Sequence, residues 1–380
     1  MVTRRRLTTK AYVVDKVGAP FVLRDVVVDE ILPDEVLVDI KYTGFCHTDA
    51  VVQSGGMPVN GFPVVLGHEG AGVVRQVGSA VADKSLKPGD TVLLSFNTCG
   101  ECDDCRAHHN GSCHRMAELN FINKSRPRAP YSLPDGTPVQ GQFFGQSSLS
   151  KLAIAAEKSI VKVDAKIEDL AYLAPLGCGY LTGAGTVFNI LRPDATQKLA
   201  VIGLGAVGLA AMLAAKVLGV QAIIAVDILE KKLETAKQLG ATHVINSGVV
   251  TDLNEGIRQV YPDGVDFILD TTGVETLLTA SVAALAHNGT LALVGVSKPT
   301  ANIEVNAMDL LMNEKRVVGV IEGDSDPQQL IPQLAKLYEE GKFPIDKIAK
   351  VYDATALDQV IEDLKKGTVV KPVLSWDKTN

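Results

Sequence analysis

Six cysteines stand in the 380-residue chain, and four of them (Cys99, Cys102, Cys105 and Cys113) fall inside one window of fifteen residues. Two-residue gaps let a chain turn back so that neighbouring thiolates meet a single ion. Four sulfurs satisfy tetrahedral zinc with no position left open, which marks a structural site. Cysteine runs also hold iron–sulfur clusters, and unrelated free thiols are the plainest alternative. No apolar stretch follows the basic run Arg4-Arg5-Arg6, so no secretory leader is expected. Without one, clustered cysteines read as metal ligands rather than a disulfide framework. His108, His109 and His114 lie nearby and read as surface polar residues. Cys46 and Cys178 remain, each among glycines, in Gly44-Phe45-Cys46-His47-Thr48-Asp49 and Leu176-Gly177-Cys178-Gly179. Gly67-His68-Glu69-Gly70 supplies a histidine between them, but sequence distance alone does not join the three.

A second kind of chemistry is written in Gly203-Leu204-Gly205-Ala206-Val207-Gly208. This G-x-G-x-x-G follows an apolar strand and opens an alanine-rich helix, the context a dinucleotide needs. The first glycine allows a tight turn, the second lets the backbone approach a pyrophosphate, and the third lets helix and sheet pack closely. Free N–H groups at the helix start then face the phosphates. Asp227 lies 19 residues beyond Gly208. A carboxylate there accepts from ribose hydroxyls and repels a 2′-phosphate, which favours NAD over NADP. Lys231 and Lys232 temper that preference.

These residues need a scaffold. Ala11–Val14, Glu35–Tyr42 and Thr91–Ser95 read as short strands separated by Gly and Pro clusters, as in a small irregular barrel. Residues 96–140 read as loop. From residue 196 the rhythm changes to alternation. Strands are expected at Leu199–Ile202, Ala222–Val226, His243–Ile245, Val265–Leu269 and Thr290–Val294, with helices at Ala206–Leu218 and Leu229–Leu239. Such alternation means a parallel, doubly wound α/β sheet. Beyond residue 320, Pro327–Glu340 and Leu357–Lys365 look helical and Ile348–Tyr352 extended. That tail is too short to stand alone and is expected to complete the first domain. A net charge of -7 argues against a nucleic-acid partner. The uncharged run Leu199–Ala215 is too short and too glycine-rich for a membrane span, so a cytoplasmic protein is expected.

Taken together and in this order, the motifs resemble the zinc-dependent medium-chain alcohol dehydrogenases over nearly the whole chain. Pro175-Leu176-Gly177-Cys178-Gly179, Gly141-Gln142-Phe143-Phe144-Gly145-Gln146-Ser147-Ser148 and Gly319-Val320-Ile321-Glu322-Gly323-Asp324-Ser325 resemble the aryl or benzyl alcohol branch. The resemblance implies a GroES-like catalytic domain at residues 1–178 and 321–380, and a Rossmann NAD-binding domain at 179–320. It implies two zinc ions, a catalytic one on Cys46, His68 and Cys178, and a structural one on Cys99, Cys102, Cys105 and Cys113. An alcohol polarised by the catalytic ion would lose its proton and give hydride to nicotinamide.

The resemblance assigns further roles. Thr48 should bond the alcohol oxygen and take its proton, and Asp49 should orient His68. Glu69 should sit behind the metal and tune or transiently join it. His47 and Lys371 should meet the cofactor pyrophosphate and Lys232 the adenosine ribose. Phe96 is either a substrate wall or a core residue. One position departs from the pattern: liver-type enzymes carry a relay histidine where this chain has Val51. Relatives associate through the edge of the Rossmann sheet, so a homodimer or homotetramer is expected. The expected substrate is a primary aromatic or allylic alcohol, with another carbonyl or enoyl compound as the alternative. Zinc-free reductases on the same scaffold lack these ligands, and a non-catalytic cofactor binder would not need Thr48 beside them.

Overall fold

The structure, a computed structural model, describes residues 7–122 and 126–379. Arg4-Arg5-Arg6 lies outside the described residues. Contacts divide the chain into two units. The first runs to Cys178 and resumes at Asp326–Ala335 and from Ile345 onward. The second is Gly179–Ser325 with Lys336–Pro344.

The first unit is β-rich. One sheet orders its strands Val64–Val65, Leu7–Val14, Val22–Val28, Tyr131–Ser132 and Pro138–Val139. The other is built on Glu35–Gly44, whose Val36, Val38 and Ile40 are fully buried. Three β-branched residues at alternate positions line one face of the strand and bury it. One edge of that strand pairs with Gly70–Val77. Ten residues are long enough for the other edge to serve two partners. Residues 35–39 pair with Leu152–Ala156, and residues 42–44 pair with the C-terminal strand Lys371–Ser375. The tail is thus stitched beside Gly44, two residues before Cys46, which carries Lys371 into the same neighbourhood.

Residues 96–140 are less irregular than their composition implies. They contain the helices Asp103–Arg106 and Met116–Asn120 and two short strands. Four- and five-residue elements are too brief to leave a periodic signal.

The second unit is a six-stranded parallel sheet. Its order is His243–Asn246, Ala222–Asp227, Lys198–Ile202, Val265–Asp270, Leu285–Leu293 and Arg316–Gly319. The Rossmann order reverses direction beside Lys198–Ile202, where the glycine fingerprint follows. Ile202, Ile224, Val226, Ile268 and Leu291 form its core. The fifth strand begins five residues before the expected Thr290: Leu285 already pairs with Val265, and a bulge in which Asn288 adopts φ +62° separates that pair from Thr290 and Phe267. The boundary expected at residue 320 also moves. Thr182 Oγ1 donates to Glu322 Oε2 at 3.2 Å, and Asn189 Nδ2 donates to the Gly323 carbonyl at 3.0 Å. These bonds keep the turn Glu322–Asp324 with the second unit, as does the grouping of Lys336–Pro344.

Helix Ala206–Val217 lies against the fingerprint turn, and a Cβ at Gly208 would sit 2.0 Å from the Gly203 carbonyl oxygen. Gly208→Ala must therefore push helix and turn apart. The expected loss is about 1–3 kcal/mol, the usual cost of overpacking. Denaturant unfolding should show a lower midpoint at unchanged slope; an unaltered midpoint would mean the contact contributes nothing.

Candidate metal centres and nucleotide loop

Helix His47–Gln53 starts directly after Cys46, and its third residue is Asp49. That carboxylate is fully buried and collects three groups. Asp49 Oδ2 accepts from the Cys46 N–H at 3.1 Å. Oδ1 accepts from the Gly67 N–H at 2.9 Å and lies 3.1 Å from His68 Nδ1. Gly67 is at φ +93°, and a Cβ there would lie 2.2 Å from the Leu149 nitrogen, so no other residue makes this bend without strain. Gln146 grips the bend from the far side. Its Nε2 donates to the His68 and Ser95 carbonyls at 3.0 and 3.1 Å, and its Oε1 accepts from the Gly70 N–H at 3.1 Å.

The structure brings Cys46, His68, Glu69 and Cys178 together, with one ligand atom of each within 4.8 Å of the others. The Asp49 carboxylate faces Nδ1, so the neutral ring that a metal requires would hold its proton there and turn the lone pair of Nε2 inward. Nε2 is buried and finds no hydrogen-bond partner among the described residues. Two sulfurs and an imidazole lone pair converging on one point suit a zinc ion, with a carboxylate orienting the ring behind it. The Cys46 thiol is held well below its ordinary range. Its contact with Cys178 is the main cause, and Lys371 and His68 add to it against the opposing effect of burial. Thr48 is half-buried, its Oγ1 3.8 Å from Cys46 Sγ. His47 is exposed, and Phe96 is fully buried in the core.

Lys371 differs from expectation. It is buried, and its Nζ sits 2.9 and 2.8 Å from the two oxygens of Glu69, where a pyrophosphate contact was anticipated. Burial raises the Glu69 pKa, which Lys371 opposes. Burial disfavours the Lys371 ammonium, yet Glu69 and Cys46 outweigh it and its pKa rises. The pair thus sits charged but internally neutralised at the back of the centre. Sequence spacing offered no signal for it, since the partners are 302 residues apart.

Cys99, Cys102, Cys105 and Cys113 also come within 4.8 Å of one another. All are free, and Cys99 Sγ is 3.8 Å from Cys105 Sγ. Tetrahedral zinc with sulfurs at about 2.3 Å requires sulfur–sulfur separations of about 3.8 Å. The backbone N–H groups of Cys99 and Cys102 point at Cys113 Sγ and Cys99 Sγ, both at 3.4 Å, which favours thiolates. Backbone N–H groups of His114 and Cys105 pull the Cys102 thiol down to about 6, while burial by itself pushes the Cys105 and Cys113 thiols up. His114 and His108 pair instead with Asp104 and Asp326, at 2.9 and 2.7 Å.

In the second unit, a Cβ at Gly205 would meet nothing within 4 Å, leaving open space at the start of helix Ala206–Val217. That is room for a phosphate at a helix N-terminus. Asp227 accepts from the Leu204 N–H at 2.8 Å and the Leu229 N–H at 3.0 Å, so it braces the fingerprint loop. Lys232 Nζ lies 3.3 Å from the same carboxylate.

Comparison with known proteins agrees in kind. A family described as alcohol dehydrogenase GroES-like domain matches residues 32–165, and one described as zinc-binding dehydrogenase matches residues 206–339. Geraniol dehydrogenase of Castellaniella defragrans is 38% identical over 373 residues, covering 98% of this chain and 99% of that protein. The structure of an alcohol dehydrogenase zinc-binding domain protein from Burkholderia ambifaria superposes with TM-score 0.92 at 40% identity, covering 97% and 99% of the two chains. Benzyl alcohol dehydrogenase from Acinetobacter calcoaceticus gives TM-score 0.89 at 39% identity, with the same coverage.

Lys371→Met leaves the Glu69 carboxylate buried without its cation. The expected destabilisation is about 3–5 kcal/mol. Adding Glu69→Gln should recover most of it in a double-mutant unfolding cycle. A double-variant loss equal to the sum of the two single losses would show that the pair acts independently.

Proposed function

This chain belongs to the zinc-dependent medium-chain alcohol dehydrogenases, and from that we propose that it interconverts primary aromatic or allylic alcohols and their aldehydes with NAD. The observation that carries the reading is the meeting of Cys46, His68 and Cys178 around an unpartnered Nε2 that Asp49 holds ready. The geraniol and benzyl alcohol relatives support the substrate class. So does the aromatic packing on the ligand histidine: Phe144 stacks on the His68 ring at 4.6 Å and Phe143 meets it edge-on at 5.4 Å.

Zinc bound by the two thiolates and the imidazole would supply a Lewis acid that acidifies an alcohol and polarises a carbonyl. NAD would supply the hydride acceptor, held by Gly203, Gly205 and Gly208, with Asp227 and Lys232 toward the ribose. The protein's own groups do the rest. Thr48 places a hydroxyl beside Cys46 to take the substrate proton. Asp49 keeps the His68 tautomer and orientation. Glu69, neutralised by Lys371, adds a carboxylate behind the centre without an uncompensated charge. Val51 carries no titratable group, so the proton leaves Thr48 by a path that does not use this position.

Finer points belong to the same proposal. A carboxylate at Asp227 favours NAD over NADP, because a 2′-phosphate would face it. The four-cysteine set is the second zinc site, giving two ions per chain. No helix among the described residues is long and apolar enough to cross a membrane. The proposed location is the cytoplasm, whose reducing conditions suit six cysteines that form no disulfide. Arg316–Gly319 forms an edge of the sheet, and the preceding helix Ala307–Met312 exposes Met308, Leu311 and Met312. An unpaired edge beside exposed apolar side chains supports self-association as a homodimer or homotetramer.

Formation of NADH from benzyl alcohol, cinnamyl alcohol, ethanol, a secondary alcohol and a polyol, each with NAD and with NADP, tests the reading. Aromatic and allylic alcohols with NAD should turn over best. Cys46→Ala should abolish turnover, and Thr48→Val should lower kcat/KM by about 10²–10⁴. Silence across the panel in protein shown to hold two zinc ions would overturn the substrate assignment. For the assembly, Leu311→Glu should shift sedimentation toward the monomer; an unchanged profile would place the interface elsewhere.

A further inference from the structure

Two segments distant in sequence build the aromatic packing on His68. Phe143 and Phe144 come from the turn after Gln142, and Phe121 comes from the end of helix Met116–Asn120. Phe121 lies 5.1 Å from Phe144 and 5.9 Å from Phe143, ring centre to ring centre. The turn is strained. Gln142, Phe144 and Ser147 stand at φ +56°, +53° and +59°, a region that L side chains rarely adopt. Such a backbone persists only where its surroundings over-determine it. Ser147 Oγ accepts from the Phe143 N–H at 3.0 Å and donates to the Val65 carbonyl at 2.7 Å. Ser159 Oγ donates to the Phe144 carbonyl at 3.2 Å.

A further hold on the turn comes from Glu35, at the start of the long central strand. Its Oε1 accepts from Gln142 Nε2 at 2.6 Å. Its Oε2 accepts from the Leu32 N–H at 2.7 Å and pairs with Arg126 Nη1. Arg126 is five residues past Phe121 and also reaches Asp29 at 2.9 Å and the Glu30 carbonyl at 3.0 Å. Both charged side chains of the Glu35–Arg126 pair are 5% exposed. A single carboxylate therefore holds Gln142, at the head of the Phe143-Phe144 turn, and Arg126 at once.

We propose that Glu35 is a positioning residue for the alcohol dehydrogenase reaction: by clamping Gln142 and Arg126 it fixes the Phe121–Phe143–Phe144 packing on His68, and with it the selectivity for aryl over small alkyl alcohols. This rests on the reading of the site as an alcohol dehydrogenase centre. A carboxylate serving the fold alone would affect every substrate equally. One serving the aromatic packing alters the fit of a ring while sparing a substrate too small to touch it.

Two variants separate these. Glu35→Gln removes the charge that holds Arg126. Gln142→Met removes the bond to Glu35 and leaves the ion pair, so it carries the test if the first does not fold. The zinc enzyme is assayed with benzyl alcohol and ethanol. The same proteins with cobalt at the Cys46–His68–Cys178 centre are compared by visible absorption. The ratio of kcat/KM for benzyl alcohol over ethanol should fall about tenfold, as small misplacements away from the reacting atoms do. The loss should appear mainly in KM for benzyl alcohol. Equal loss for both alcohols, or no loss, overturns the proposal. Should the unaltered enzyme oxidise neither alcohol, the alcohol dehydrogenase reading fails by itself. The cobalt band then decides for Glu35: a shifted band upholds the clamp on His68 and an unshifted one removes it.

Discussion

Everything at the principal centre depends on one buried carboxylate accepting three groups. Asp49 ties the backbone of Cys46, the backbone of Gly67 and the ring of His68 to a single point. The first bond caps a helix, the second closes a bend, and the third sets a tautomer. Because the same two oxygens do all three, the geometry of the ligands cannot vary independently of the fold around them. A buried anion would be costly alone, yet here each oxygen meets at least one donor.

Charge is handled in the same economical way behind the centre. Glu69 and Lys371 are both removed from water, and each would be intolerable there without the other. Their pairing is made possible by the C-terminal strand, which joins the sheet beside Gly44. The tail of the chain is thus part of the metal environment, not an appendage. This explains why a segment too short for a domain packs where it does.

The four-cysteine lobe works on another principle. Residues between Cys99 and Cys113 bury little apolar surface, and their helices are one turn long. Thiolates brought to one point, with backbone N–H groups directed at them, supply the order that a hydrophobic core supplies elsewhere.

Local chemistry was readable in the sequence wherever neighbours in the chain are neighbours in space. The glycine fingerprint, the cysteine spacing, the alternation of the parallel sheet and the helix Leu357–Lys365 all belong to that class. Short elements in residues 96–140 escaped, because four residues leave no period to detect. Long-range pairs escaped for a different reason. Glu69 with Lys371, Gln146 with the His68 carbonyl, and Glu35 with Gln142 and Arg126 join residues 78 to 302 positions apart. Cys46, His68 and Cys178 could be named together only by resemblance, since nothing in their spacing requires them to meet. The sequence alone therefore determined which groups were available and which local turns would form. Tertiary structure decided which of those groups share a buried volume, where desolvation makes every pairing or its absence count.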